Sequence, residues 1–208
     1  MDVKGGLATA VKKIFKGKII LLDFFKILRL ISWLLTFLVK DFKMEDSDSI
    51  NRVNKCVELF MSGYGCCQSV VGGFADIYGL SPRQAMLIAS GFGGGVGRMR
   101  MMCGAVSGLV ILAGLSDGQT EADNRAGKAH CYKIVQELLN CFKEHNGSLI
   151  CAELLGLKGC VARTTPIPDQ RNAHYYATRP CASKVESAAQ IFAEYLKKKK
   201  SADGATNY

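Results

Sequence analysis

Arg98-Met99-Arg100-Met101-Met102-Cys103-Gly104-Ala105-Val106-Ser107-Gly108-Leu109-Val110-Ile111-Leu112-Ala113-Gly114-Leu115 is the stretch on which the fold turns. Its apolar content, with no polar face once Arg100 is passed, reads as one helix buried on every side. Gly104 and Gly108 are four apart and share a face, so another backbone can approach there. The same G-x-x-x-G spacing occurs in membrane helices, but the stretch is short and suits a contact in a protein core. A helix of this kind needs other helices around it.

Those neighbours can be read on both sides. Glu45-Asp46-Ser47-Asp48-Ser49 supplies N-cap residues for a helix running to about Met61, with Ile50, Val53, Val57, Phe60 and Met61 as its apolar stripe. Gly63 and Gly65 end it, a second helix is expected from about Cys66 to Tyr78, and Ser81-Pro82 opens a third. Downstream, a long helix is expected from about Thr120 to Glu144, with Ile134, Val135, Leu138, Leu139 and Phe142 inward, and a short one capped by Ser148 carries Cys151. Residues 156–180 hold Pro166, Pro168 and Pro180 and read as an irregular loop, a lid over the cysteines. The last helix is expected from about Cys181 to Lys200, where four lysines suit its C-terminal dipole. No repeat and no convincing strand is found. The fold class is all-α, a helical bundle domain with an N-terminal amphipathic helix appendage.

The organisation expected is an appendage over residues 1–43, the bundle over 44–200 and a disordered tail over 201–208. With 208 residues and 49% of them apolar, the chain can bury a core. The formal charge of +9 is uneven: residues 1–43 hold nine Lys/Arg against three acids, and the rest 18 against 15. In residues 7–43, Ile20, Phe24, Ile27, Ile31, Leu34, Leu35 and Leu38 share one helical face opposite Lys18, Lys26, Arg29, Lys40 and Lys43. Asp23, Lys26 and Arg29 interrupt the only stretch long enough to span a bilayer. The face therefore either lies on a membrane surface, making the chain a membrane-surface adaptor, or packs on protein, with a second copy of the chain among the candidates.

Nine cysteines cannot all pair within one chain, and no C-x-x-C or zinc-finger spacing occurs. The apolar run Leu30 to Val39 is followed by Lys40-Asp41-Phe42-Lys43, which offers no cleavage site. These features fit a reducing cytoplasm, peripheral to the membrane if the appendage binds lipid. Cys66, Cys103, Cys151 and Cys181 each sit in a dense local pattern and lie 37, 48 and 30 residues apart, so folding must bring them together. Cys66 and Cys181 at helix starts should have lowered thiol pKa values, and Arg98 and Arg100 should favour a thiolate or anionic cluster beside Cys103. The glycine run Gly91 to Gly97 lacks the dinucleotide and P-loop patterns, yet Gly93, Gly94 and Gly95, with Arg98, could line a cofactor cradle or make a tight helix connection. The quartet could bind an iron–sulfur cluster, most plausibly [2Fe–2S], or form a reversible disulfide with Cys66 and Cys103 as the pair. Structural zinc and inert core thiols are the other outcomes. Cys56, Cys131, Cys141 and Cys160 read as inert. Cys67, turned about 100° from Cys66 on a helix, is open.

The four cysteine strings, with Cys103-Gly104-Ala105-Val106-Ser107-Gly108 and Ser90 to Met99, resemble the redox-active proteins of the C_GCAxxG_C_C family over roughly residues 50 to 198. The resemblance implies that its four cysteines are Cys66, Cys103, Cys151 and Cys181, with a redox or iron–sulfur role. The split-Soret type of cytochrome c, a relative, carries a similar domain with an iron–sulfur centre. Position 67 departs from the pattern, being cysteine where relatives usually have alanine, and residues 1 to 43 lie outside it. The function expected is electron transfer through four metal-ligating cysteines, in partnership with another redox protein and as an accessory to an oxidoreductase. A metal-free thiol/disulfide protein or sensor is the alternative. No Ser/His/Asp set, paired carboxylates or base-stacking motif is present, so no catalytic residue and no nucleic-acid partner is expected.

Overall fold

The structure is a computed structural model and describes residues 47–157 and 165–205. The appendage, Cys160 and the last three residues of the tail lie outside the described residues. Helix α1 covers residues 47–61, α2 Cys66–Phe74, α3 Pro82–Ala89, α4 Gly104–Asp117, α5 Arg125–Asn146, α6 Cys151–Leu154, α7 Ala173–Thr178 and α8 Cys181–Ala205. Single 3-10 turns follow α2 and α3. The only ladder contact among the described residues is an isolated antiparallel bridge between Met102 and Ile150. The protein is all-α.

Helix α4 is the axis of the bundle, packed by α2, α5 and α8. Val106, Leu109 and Leu112 are completely buried and meet Val70, Phe74, Phe142, Val185 and Phe192. From Gly104 to Leu109 every residue is buried, which is why this part shows no polar stripe, whereas Gly114 and Leu115 near its end are exposed, contrary to the expectation of burial on every side. A Cβ on Gly108 would stand 2.7 Å from the Val70 Cβ, and one on Gly104 3.1 Å from the Cys66 Cβ. Those two glycines let α2 lie against α4, and so fix Cys66 beside the start of α4. A smaller core of Cys67, Val71, Ala75, Ala85 and Ala89 forms on the other side of α2, against α3.

The helix ends follow local chemistry. The Ser81 hydroxyl accepts from the Gln84 N–H, Asn124 from the Gly127 N–H and Asn172 from the Tyr175 N–H, closing the first turns of α3, α5 and α7. Gly79 and Gly147, at φ of 69° and 86°, end the 3-10 turn after α2 and the helix α5. At the far end of the bundle, Asp117 closes α4 and binds α8: it accepts from Lys199 Nζ at 2.7 Å and from the Tyr195 hydroxyl.

Several boundaries differ from the sequence reading. The central helix begins at Gly104, not near Arg98, because residues 94–98 and 100 take positive φ. On α1, Ile50 and Met61 are exposed, and the buried positions are Cys56 and Phe60. The loop over residues 156–180 contains the short α7. Helix α8 runs to Ala205, five residues past Lys200 and into the expected disordered tail. Among the described residues no helix is long and apolar enough to cross a membrane.

Candidate functional site

Each of the four cysteines opens a helix. Cys66, Cys151 and Cys181 are the first residues of α2, α6 and α8, and Cys103 is the N-cap of α4. All four line one cleft of about 540 Å³, together with Gly93, Gly94, Gly95 and Arg98. Two backbone contacts place Cys103 and Cys151. The Cys103 N–H donates to the Leu149 carbonyl at 2.9 Å and the Cys151 N–H to the Met101 carbonyl at 2.6 Å, on either side of the Met102–Ile150 bridge. Cys66 is placed by the α2–α4 contact, and Cys181 by the packing of α8 on α2 and α4.

The glycine run is a left-handed turn rather than an open loop. Gly94, Gly95, Val96, Gly97 and Arg98 have consecutive φ values of 64°, 75°, 57°, 56° and 66°, and Arg100 adds 61°. Such a conformation costs a non-glycine residue roughly 1–2 kcal/mol, so Val96, Arg98 and Arg100 are held there against their preference. Donors from Val96 to Met101 are spent on carbonyls of residues 91 to 96, which holds the turn closed on itself. Those N–H groups are occupied within the turn, whereas Gly93, Gly94, Gly95 and Arg98, the residues expected to line a cradle, all border the cleft. A Cβ on Gly95 would come within 2.6 Å of the Cys151 Cβ. The turn lies directly against the cysteine site.

What the turn contributes is arginine. Arg98 donates from both terminal nitrogens to Asp169, at 3.1 and 3.4 Å, and from Nε to the Thr165 carbonyl at 2.9 Å. Arg179 reaches the same carboxylate at 2.8 Å, and Arg100 stands 3.8 Å from it. Three arginines thus hold one aspartate on the 165–172 segment, and together they keep its carboxyl below the usual range, the Arg98 hydrogen bond being the main cause. That segment borders the cleft through Pro166, Pro168, Asp169 and Arg171, where the lid was expected. Arg171 lies 4.6 Å over the Phe60 ring and 4.5 Å over Tyr175, and Arg179 lies 4.7 Å over Tyr175. Arg171 Nη2 donates to the Tyr64 carbonyl, while its buried Nη1 has no partner among the described residues.

The electrostatics single out one cysteine. Cys66 and Cys181 act on each other: the neighbouring Cys181 raises the Cys66 thiol well above the ordinary range, and Cys66 brings Cys181 down to about 7, with help from Arg179, Arg171 and Arg100. Burial pushes Cys103 up to about 11 and also raises Cys151, against the charge of nearby Arg100. The lowering expected for Cys181 is present, whereas Cys66 is raised first by its neighbour Cys181 and Cys103 by loss of water, which there outweighs the helix end and the nearby arginines. Cys66 feels both Cys181 and Cys103, the partner expected from the sequence, with the stronger effect from Cys181. Cys67 is fully buried against α3, and its thiol rises to about 12 through burial. Cys56 is likewise a core residue, and Cys131 and Cys141 sit on α5 away from the cleft.

No three Cys, His, Asp or Glu side chains among the described residues converge closely enough to hold a single metal ion. Four thiols around one wide cleft, with a buried guanidinium nitrogen lacking a partner, are a donor set and a charge environment suited to an anionic thiolate-bound group larger than one ion. The residue that the sequence reading missed is Asp169, which gathers Arg98, Arg100 and Arg179; Arg171 and Arg179 were open to it only as arginines able to face an anionic partner. The only available signal was the scatter of arginines in a proline-rich loop.

A protein-family model described as "Putative redox-active protein (C_GCAxxG_C_C)" matches residues 64–195, a span that contains all four cysteines, the glycine turn and the arginine cluster. Comparison with the curated proteins and with the solved structures gave no match.

Proposed function

Because the chain belongs to the C_GCAxxG_C_C family, whose description is redox-active, we propose that it is an electron-transfer protein that holds an iron–sulfur cluster, of [2Fe–2S] type, through Cys66, Cys103, Cys151 and Cys181. The observation that carries this reading is the meeting of four helix-opening cysteines in one arginine-lined cleft. A bound cluster would supply reversible one-electron chemistry. The chain's own residues do the rest. Metal ligation would hold the four sulfurs as thiolates, and the ends of α2, α4 and α8 and the arginines would lessen, without cancelling, the cost of burial at Cys103 and Cys151. The left-handed turn and the 165–172 segment restrict water at the sulfurs, and the free Arg171 Nη1 offers a hydrogen bond to sulfur.

Anaerobically purified protein tests this. It should be coloured, with iron and acid-labile sulfide in equal amounts, and Cys103→Ser should lose both. Colourless protein that takes up no iron on reconstitution ends the reading.

One observation favours a second reading, the nearness of Cys66 and Cys181 in the cleft, where each shifts the other's titration in the opposite direction. In a metal-free protein the Cys181 thiolate would attack a partner's disulfide, forming a mixed disulfide and releasing one partner thiolate. Cys66, losing its proton, would then attack the Cys181 sulfur. The partner leaves as a dithiol and the chain keeps a Cys66–Cys181 disulfide. Mass spectrometry of the oxidised metal-free protein should find that pair. If no redox-dependent link joins any of the four cysteines, this reading fails.

A further inference from the structure

Asp169 is held by more positive charge than a structural ion pair uses. Arg98, Arg100 and Arg179 all face its Oδ2, so one carboxylate answers three guanidinium groups. Two of the three sit on strained backbone, at φ of 66° and 61°, so the fold sustains an unfavourable conformation in order to aim them. The arginines are well covered, at 16%, 12% and 26% side-chain exposure, whereas the aspartate is 38% exposed and comes from the segment at the rim of the cleft. Half-exposed ion pairs contribute little to stability, so this carboxylate is replaceable. The Arg100 carbonyl accepts from the Ala152 N–H at 3.1 Å, and Arg100 and Cys151 line the same cleft, which joins the arginine cluster to the cysteine site.

We propose that Arg98, Arg100 and Arg179 form a binding site for a small oxyanion, a carboxylate, phosphate or sulfur oxyanion, and that Asp169 occupies it as an internal stand-in which the ligand displaces. Guanidinium forks match planar and tetrahedral oxyanions through paired N–H donors, and removing Asp169 leaves three charges unanswered. The site opens into the same cleft as Cys66, Cys103, Cys151 and Cys181, so a bound anion stands beside the redox centre. The inference rests on the redox reading and deepens it, since it gives the chemical class of a ligand held beside the cysteines.

Calorimetric titration of the full-length, metal-free protein with inorganic phosphate and with malonate, against chloride at equal ionic strength, tests it. Saturable binding is expected, tightened about tenfold by Asp169→Asn and weakened about tenfold by Arg98→Asn, the loss of one charge-assisted contact. Asn tolerates the left-handed backbone at position 98. If Asp169→Asn loses its helical circular dichroism, Arg179→Gln replaces it and must weaken binding. Equal affinity in the parent and the variants, as expected for ions gathering on a basic chain, overturns the site, and so does the absence of saturable binding. Iron and sulfide analysis is read separately, so failure here is distinct from failure of the cluster reading.

Discussion

Cys66 and Cys181, the first residues of α2 and α8, are neighbouring thiols that titrate as a linked pair, Cys66 keeping its proton and Cys181 giving up its own. The linkage separates two otherwise identical groups. One becomes a poor acid and the other is a thiolate over much of the neutral range.

Alkylation of metal-free protein by iodoacetamide should therefore label Cys181 first among the four. Its rate should fall as pH drops through about 7, since the reactive form is the thiolate. Cys66→Ala removes the neighbouring thiol and should move that midpoint upward, toward the ordinary thiol value. Peptide mapping across a pH series checks both; an unchanged midpoint in Cys66→Ala would mean the arginines alone set it.

Cys67→Ala separates the neighbouring cysteines. Cys67 has no exposed surface and packs on Ala85 and Ala89, so the change should cost about 1 kcal/mol, read as a lower urea midpoint. Iron content after reconstitution should stay at the parent level. Loss of iron in Cys67→Ala, with Cys66→Ser retaining it, would reverse the assignment of the pair.

Val96 carries a β-branched side chain on left-handed backbone, at φ of 57°, and its side chain is partly exposed. Val96→Gly should raise stability by roughly 1 kcal/mol, because relief of strain exceeds the small loss of burial. Gly108→Ala should do the opposite and lower stability by about 1–3 kcal/mol, since its Cβ meets Val70 at 2.7 Å in the α2–α4 contact. Thermal denaturation of both variants against the parent decides the pair.

Asp117 is held down to about 2 by Lys199 and Tyr195, against a burial that works the other way. A depressed carboxyl contributes stability that is full above its unfolded value near 4 and is lost as pH falls through about 2. The size is on the order of 2 kcal/mol. Asp117→Asn should thus be less stable than the parent at pH 6 and converge with it at pH 2, as followed by urea unfolding. A constant difference across that range would exclude the linkage.

The helices were legible because their signals are local. Ser81-Pro82, Asn146-Gly147 and the stripe Ile134, Val135, Leu138, Leu139, Phe142 act within a turn or two of chain. The glycine run misled the boundary of α4 because Met99 to Met102 are as apolar as the helix that follows. Nothing in residue type announces that Val96, Arg98 and Arg100 will be carried into left-handed backbone by their glycine neighbours. Exposure of Ile50 and Met61 is likewise a matter of which helices reach that side of α1.

By itself the sequence determined an all-helical chain around one wholly apolar helix, and it marked Cys66, Cys103, Cys151 and Cys181 apart from the other five cysteines. Periodicity, capping and motif spacing are properties of neighbouring residues, and they suffice for that. Only the tertiary structure decided that Cys66 meets Cys181, that Cys67 turns into the core, and that Arg98 reaches Asp169 from 71 residues away. Those relations depend on which helix ends meet and how much water is excluded between them. Burial, which raised Cys103 and Cys151 despite their helix ends, exists only once the helices have packed.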